Sequence, residues 1–267
     1  MMASVYRSDF FQAGEYRLFV SEHVPKSPRG RVILCAPFLE EKQFCRRYFR
    51  HLAQLLAQMD WHVIRFDSVG EGDSEGELQD ASIEDALRCI ESIAATTERQ
   101  DGLPLVLIGL RWGGTLALLS GSVNADAVIA IEPLRRGEEY LQQLLRQNLV
   151  TQMATWGAVR QSREVLLKEA AQGKSINIQG YELGSCLIEQ MRQVDLPESA
   201  PAPRVAVIKL GALDEPPMAA WHQHLDRWGA SYTPVDGLPF WYEPKHHDVQ
   251  KIALTQSVQL QLSEWFS

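Results

Sequence analysis

The chain has 267 residues, 45% of them hydrophobic, with four cysteines and a formal net charge of −8. This composition suits one large α/β domain with an inserted piece better than two equal domains. The negative charge and the lack of any basic run argue against nucleic acid and anionic membrane surfaces as partners. No apolar run approaches the ~18 residues of a membrane span, so a soluble, cytoplasmic protein is expected.

Apolar, β-rich runs alternate with helical patterns, the signature of a mostly parallel sheet covered on both faces. A leading hairpin is read within residues 15–24, and strands over 31–37, 62–67, 105–110, 127–133, 204–211 and 231–235. A helix over 42–59 carries the apolar stripe Phe44, Tyr48, Leu52, Leu55, Leu56 and Met59. The helix over 82–95 opens on Ser82-x-x-Asp85, a capping-box start. Further helices are read over 112–122, over 216–228 behind two prolines suited to a first turn, and over 249–266. Residues 134–198 break the alternation. No strand is evident there, and Leu141, Leu145, Leu149 and Met153 recur at fourfold spacing before a proline-rich linker over 197–203. We read 134–198 as a helical cap inserted into a core made of 1–133 and 199–267.

One strand leads into chemistry. Residues 104–110 run into Arg111-Trp112-Gly113-Gly114, a strand, a sharp glycine-rich turn and a helix. This is the frame of the G-x-S-x-G nucleophile elbow. Gly109 and Gly113 hold the frame, and Arg111 stands where the serine belongs. A guanidinium stays protonated in any protein environment, so it cannot attack a carbonyl.

The run Ala36-Pro37-Phe38-Leu39-Glu40-Glu41-Lys42, then Arg46-Arg47, then residues 65–76 (RFDSVGEGDSEG) resembles the serine-aminopeptidase-like branch of the α/β-hydrolases. More narrowly, the sequence is similar to the hydrolases associated with the bacterial exosortase A (PEP-CTERM) system, in particular the type called hydrolase 2. Residues 132–141, Gly180-Tyr181-Glu182-Leu183 and Pro239-Phe240-Trp241 fit the same group.

The resemblance implies an α/β-hydrolase fold with a catalytic acid after the seventh main strand, a base before the last helix, and an oxyanion hole. In this chain Asp214, in Gly211-Ala212-Leu213-Asp214, matches the acid. His246-His247-Asp248 occupies the loop expected to hold the base, and His247 is favoured over His246. The oxyanion-hole amides fall on Phe38 and Trp112. Asp214 also reads as a cap for the helix behind it, and the two amides also serve helix starts.

A guanidinium beside the histidine would disfavour the imidazolium, so Arg111 opposes the proton uptake that serine attack needs. If buried, Arg111 needs a counter-charge, and Glu40, Glu41 and Asp214 are the candidates. Such a pair either plugs the pocket or leaves Arg111 to anchor a carboxylate or phosphate. Cys35 and Ser68 are the candidates for a relocated nucleophile. Cys35 has only apolar neighbours, which raise a thiol pKa. No cysteine lies in a C-x-x-C or zinc pattern, and Gly70-Glu71-Gly72-Asp73 is too acidic to cradle a phosphate, so no metal or cofactor is expected.

Two readings follow. In the first, the chain is a non-hydrolytic hydrolase homologue that binds a small acyl or anionic ligand, linked to exosortase and exopolysaccharide gene systems. In the second, it is an active hydrolase or acyltransferase of esterase or thioesterase type, using water activated by Asp214 and His247 or a relocated nucleophile.

Overall fold

A computed structural model describes residues 4–96, 102–210, 219–242 and 248–267. Its main sheet has eight strands in the order β1-β2-β4-β3-β5-β6-β9-β10. These are β1 (Val5–Ala13), β2 (Tyr16–Val24), β3 (Gly30–Cys35), β4 (Trp61–Phe66), β5 (Leu105–Leu110), β6 (Ala127–Ile131), β9 (Val205–Leu210) and β10 (Ser231–Val235). The six strands from β4 to β10 run parallel, and β1 and β2 are antiparallel additions at one edge.

The central strands are buried on both faces, which explains their unbroken apolar sequences. Alternate residues feed two separate cores. Val32, Leu34, Val106 and Ile108 pack under α1 (Leu39–Gln58) and α8 (Asp248–Trp265). Ile33, Cys35, Leu105 and Leu107 pack on the opposite face, under α2 (Ile83–Thr96) and α3 (Trp112–Leu119). The start of α2 is a reciprocal capping box. The Ser82 amide donates to Asp85 at 2.9 Å, and the Asp85 amide donates to the Ser82 hydroxyl at 3.0 Å. After α3 a short 3-10 turn over Gly121–Val123 replaces the last turn expected of that helix.

Between β6 and β9 the chain leaves the sheet. It forms α4 (Gly137–Trp156), α5 (Arg163–Ala171), the two-stranded β7 (Ile176–Ile178) and β8 (Tyr181–Leu183), and α6 (Ser185–Gln193). Tyr140, Leu141, Leu145, Ile178, Leu183 and Ile188 join the core under α2 and α3, so this segment shares its interior with the sheet. The last main-sheet elements are joined by α7 (Ala219–Trp228).

Three expectations are corrected. The leading hairpin turns at Gly14-Glu15, not within 15–24, because β1 precedes it. That strand is exposed on both faces as far as Phe10 and half-buried only at Phe11 and Ala13, so its sequence carries too short an inward period to read. The insertion holds two strands of three residues each, too short to show alternation. On α4 the fourfold stripe does not all face inward. Leu141 and Leu145 are buried, while Met153 is half exposed, because a spacing of four drifts about 40° per step around an α-helix. The buried face continues instead through Leu144, Asn148 and Gln152.

Among the described residues no helix is long and apolar enough to cross a membrane. Cys35, Cys45 and Cys89 are buried and Cys186 is exposed. Burial pushes the Cys35 thiol up to about 12 and the Cys89 thiol up to about 11. In native protein at pH 8, a chromogenic disulfide reagent should therefore titrate Cys186 alone, and all four thiols only after denaturation. Rapid native modification of Cys35 would reopen its case as a nucleophile.

Candidate functional site

The turn between β5 and α3 is built by close backbone contact. A Cβ on Gly109 would lie 2.3 Å from the Gly113 carbonyl oxygen, and one on Gly113 would lie 2.2 Å from those of Cys35 and Ala36. Only glycine lets the strand, the turn and the neighbouring β3 approach this closely. Arg111 sits at the apex with φ 55° and ψ −121°, a conformation costly for any residue with a side chain. Its amide donates to the Ile131 carbonyl at 2.9 Å, and its own carbonyl accepts from the Thr115 amide at 3.0 Å. The backbone is the sharp, strained elbow of the G-x-S-x-G motif, presenting a guanidinium.

Arg111 is buried at 5% exposure. Its Nε donates to both Glu41 oxygens, at 3.2 and 3.4 Å, and its Nη2 reaches Glu41 Oε1 at 3.1 Å. Nη2 also donates to Gln143 Oε1 at 2.7 Å and to the Tyr242 hydroxyl at 3.0 Å. The Tyr140 hydroxyl donates to the other Glu41 oxygen at 3.3 Å. Aromatic rings close the shell, with the Arg111 Cζ 5.1 Å from the Trp241 centroid and 5.8 Å from that of Tyr140. Trp112, beside the arginine, stacks on Tyr140 with centroids 5.1 Å apart. Burial opposes the guanidinium's charge, and the Glu41 carboxylate outweighs it, holding the arginine above its ordinary pKa. Burial likewise draws the Glu41 carboxyl upward, against the pull of Arg111 and Tyr140.

Glu41 belongs to the first turn of α1, where a carboxylate is favoured by the helix dipole. The loop after β4 supports that turn. The Leu39 amide donates to the half-buried Glu71 carboxylate, and Lys42 bridges Asp67 at 2.8 Å and Glu71 at 3.3 Å. Glu40 faces elsewhere and accepts from the Tyr181 hydroxyl at 3.3 Å.

Of the sequence candidates, the structure thus brings Arg111 and Glu41 together. Phe38 and Trp112 stand at the starts of α1 and α3, where backbone N–H groups lack intrahelical partners. Both line a cavity of about 40 Å³ with Ser68 and Glu71. Asp214, His246 and His247 lie outside the described residues. A larger cavity of about 230 Å³ adjoins the ion pair, lined by Glu40, Glu41, Phe44, Gln143, Trp241 and Tyr242 among others. Gln143, Tyr140 and Tyr242 were not singled out in the sequence. The available signal was that a buried guanidinium has more donors than one carboxylate can satisfy.

The serine aminopeptidase, S33, model matches residues 26–182, more than half of the sequence. The chain belongs to the serine aminopeptidase S33 family. No curated protein matches the sequence. Among solved structures, ferulic acid-bound Est1E from Butyrivibrio proteoclasticus superposes with a TM-score of 0.65 at 14% identity, covering 96% of this chain and 99% of that one. The thioesterase domain from the curacin biosynthetic pathway gives a TM-score of 0.60 at 17% identity, covering 96% and 99%. XC6422 from Xanthomonas campestris, an α/β serine hydrolase without a lid, gives 0.60 at 14% identity, covering 100% and 96%. At these identities the likeness establishes the α/β-hydrolase fold of this S33-family chain.

Replacing Glu41 by Gln should destabilise the protein by about 3–5 kcal/mol, because it strands a buried guanidinium. The double variant Arg111→Met with Glu41→Leu should recover most of that loss, since an apolar pair of similar volume needs no counter-charge. Urea unfolding of the three proteins checks both. A Glu41→Gln protein as stable as the parent would show that Arg111 does not depend on this carboxylate.

Proposed function

We propose that this family member is non-hydrolytic, with the Arg111–Glu41 pair occupying the place of the nucleophile. The observation that carries the reading is that the elbow apex presents a guanidinium already bonded to Glu41, Gln143 and Tyr242. No lone pair is free on an arginine at neutral pH, and its charge opposes protonation of any histidine brought to it. Cys35 does not substitute, since burial suppresses its thiolate.

The ligand we infer is a small acyl compound held in the 230 Å³ cavity. Phe44, Leu144 and Trp241 supply apolar walls there, and Gln143, Gln147 and Gln179 supply amides. The geometry favours a plug over an anion anchor. Glu41 already matches the Arg111 charge, and the described lining adds Glu40 without adding a cation. A carboxylate or phosphate would therefore have to displace Glu41. Within the family we place the chain beside the exosortase-associated hydrolases, on the motifs at 36–42, 65–76 and 132–141, and in the cytoplasm.

Fluorophosphonate labelling and assay of short p-nitrophenyl esters should both be negative. Stoichiometric labelling of a serine, or ester turnover lost in His247→Ala, would establish the active reading instead. Arg111→Ser alone should not restore turnover, because a hydroxyl at the apex also needs a histidine within about 3 Å and an acid behind it. It should melt below the parent, because Glu41 is left buried and unpaired. A variant that melts like the parent and turns over esters would show that only the nucleophile was missing.

A further inference from the structure

The two edges of the main sheet are treated differently. β10 is five residues long and carries Pro234, which removes a backbone donor from that edge. β1 is nine residues long and pairs with β2 in an unbroken register from Val5↔Val24 to Ala13↔Tyr16. It has no proline, no lysine and no bulge, and what blunts it is the charge of Arg7 and Asp9, whose carboxylate accepts from the Phe10 amide at 2.7 Å. It also exposes large apolar side chains, with Val5 at 63%, Tyr6 at 55% and Phe10 at 48%. β1 ends the described sheet, so its outer row of backbone groups faces away from the eight strands.

The sequence of β1 is complementary to itself. If two copies run antiparallel about Ser8, Arg7 of each lies opposite Asp9 of the other, and Tyr6 lies opposite Phe10. Cross-strand pairs of opposite charge and of aromatic rings are the units that stabilise antiparallel sheets. Moving the axis by one residue destroys the match. Centred on Arg7 it opposes two arginines, and centred on Asp9 it opposes two aspartates. Within one chain the aromatic row has already begun, since Tyr6 packs on His23 at 5.1 Å and Phe10 on Phe19 at 5.7 Å. Pairing about Ser8 would carry that row across the axis. On the other face, Arg7 already bridges Glu22 and, with its side chain 62% exposed, has donors left for a second carboxylate.

We infer that the protein forms a homodimer through β1, its occupant a second copy of the same strand, joining two sheets into one. This is independent of whether the elbow is catalytic. Sedimentation of the full chain at micromolar concentration should give two chains per particle. Asp9→Arg, at an exposed position, should weaken association by more than about tenfold while leaving the circular dichroism spectrum unchanged, because both charge pairs become Arg–Arg contacts. In a Cys186→Ser background, Ser8→Cys should form an intermolecular disulfide under mild oxidation, since the two positions face each other across the axis. Gln12→Cys should not, as its two copies would lie about 27 Å apart along the ladder. A parent that sediments as single chains, an Asp9→Arg variant that stays fully dimeric, or a Ser8→Cys variant that does not cross-link would each overturn the inference.

Discussion

The contact between Arg111 and Glu41 is the constraint around which the rest of the site is arranged. A guanidinium this deeply buried has no stable existence without a counter-charge and further acceptors. Glu41 supplies the charge, Gln143 and Tyr242 supply the acceptors, and the rings of Tyr140 and Trp241 exclude water. These partners come from α1, α4 and the segment after β10, so one side chain ties three parts of the fold together. The half-buried Lys42, Asp67 and Glu71 cluster then matters indirectly. It fixes the first turn of α1, and with it the position of Glu41.

The tie also gives the inserted segment a reason to sit where it does. Tyr140 and Gln143 lie one turn apart on α4, so a single face of that helix meets both the carboxylate and the guanidinium. The same helix buries Leu141, Leu144 and Leu145. Polar and apolar contacts therefore agree on one docking orientation. A buried polar network of this kind specifies a position more than it adds stability.

Much of this is legible in the sequence. β5 and β10 fall on the residues their apolar runs mark, and the elbow was evident because its glycines have a steric job that no other residue performs. Arg111 signals its own need for a carboxylate, and Glu41 is among the three candidates nearest it in the motifs. The sequence did not separate Glu41 from its neighbour Glu40, because adjacent positions on a helix differ only in direction, about 100° apart. Nor did it show Gln143 and Tyr242 converging, since they are 99 residues apart and neither type is diagnostic alone. β1 was hidden for the opposite reason. A strand half-buried only at Phe11 and Ala13, near its end, leaves too little alternation to detect.

The elbow persists although the residue at its apex cannot perform the chemistry for which such turns are strained. Holding a side chain at φ 55° and ψ −121° costs on the order of 1–3 kcal/mol, and a guanidinium at the apex supplies no nucleophilic atom in return. The contacts explain the persistence. Gly109 and Gly113 are packed against backbone atoms on every near side, and the Arg111 amide is held by the Ile131 carbonyl on the adjacent strand. Relaxing the turn would break the junction of β3, β5, β6 and α3 at the centre of the sheet. The strain is thus enforced by the fold itself, and an intact elbow is evidence for the fold's packing, while the identity of the side chain at its tip must be weighed separately as evidence for what the site can do.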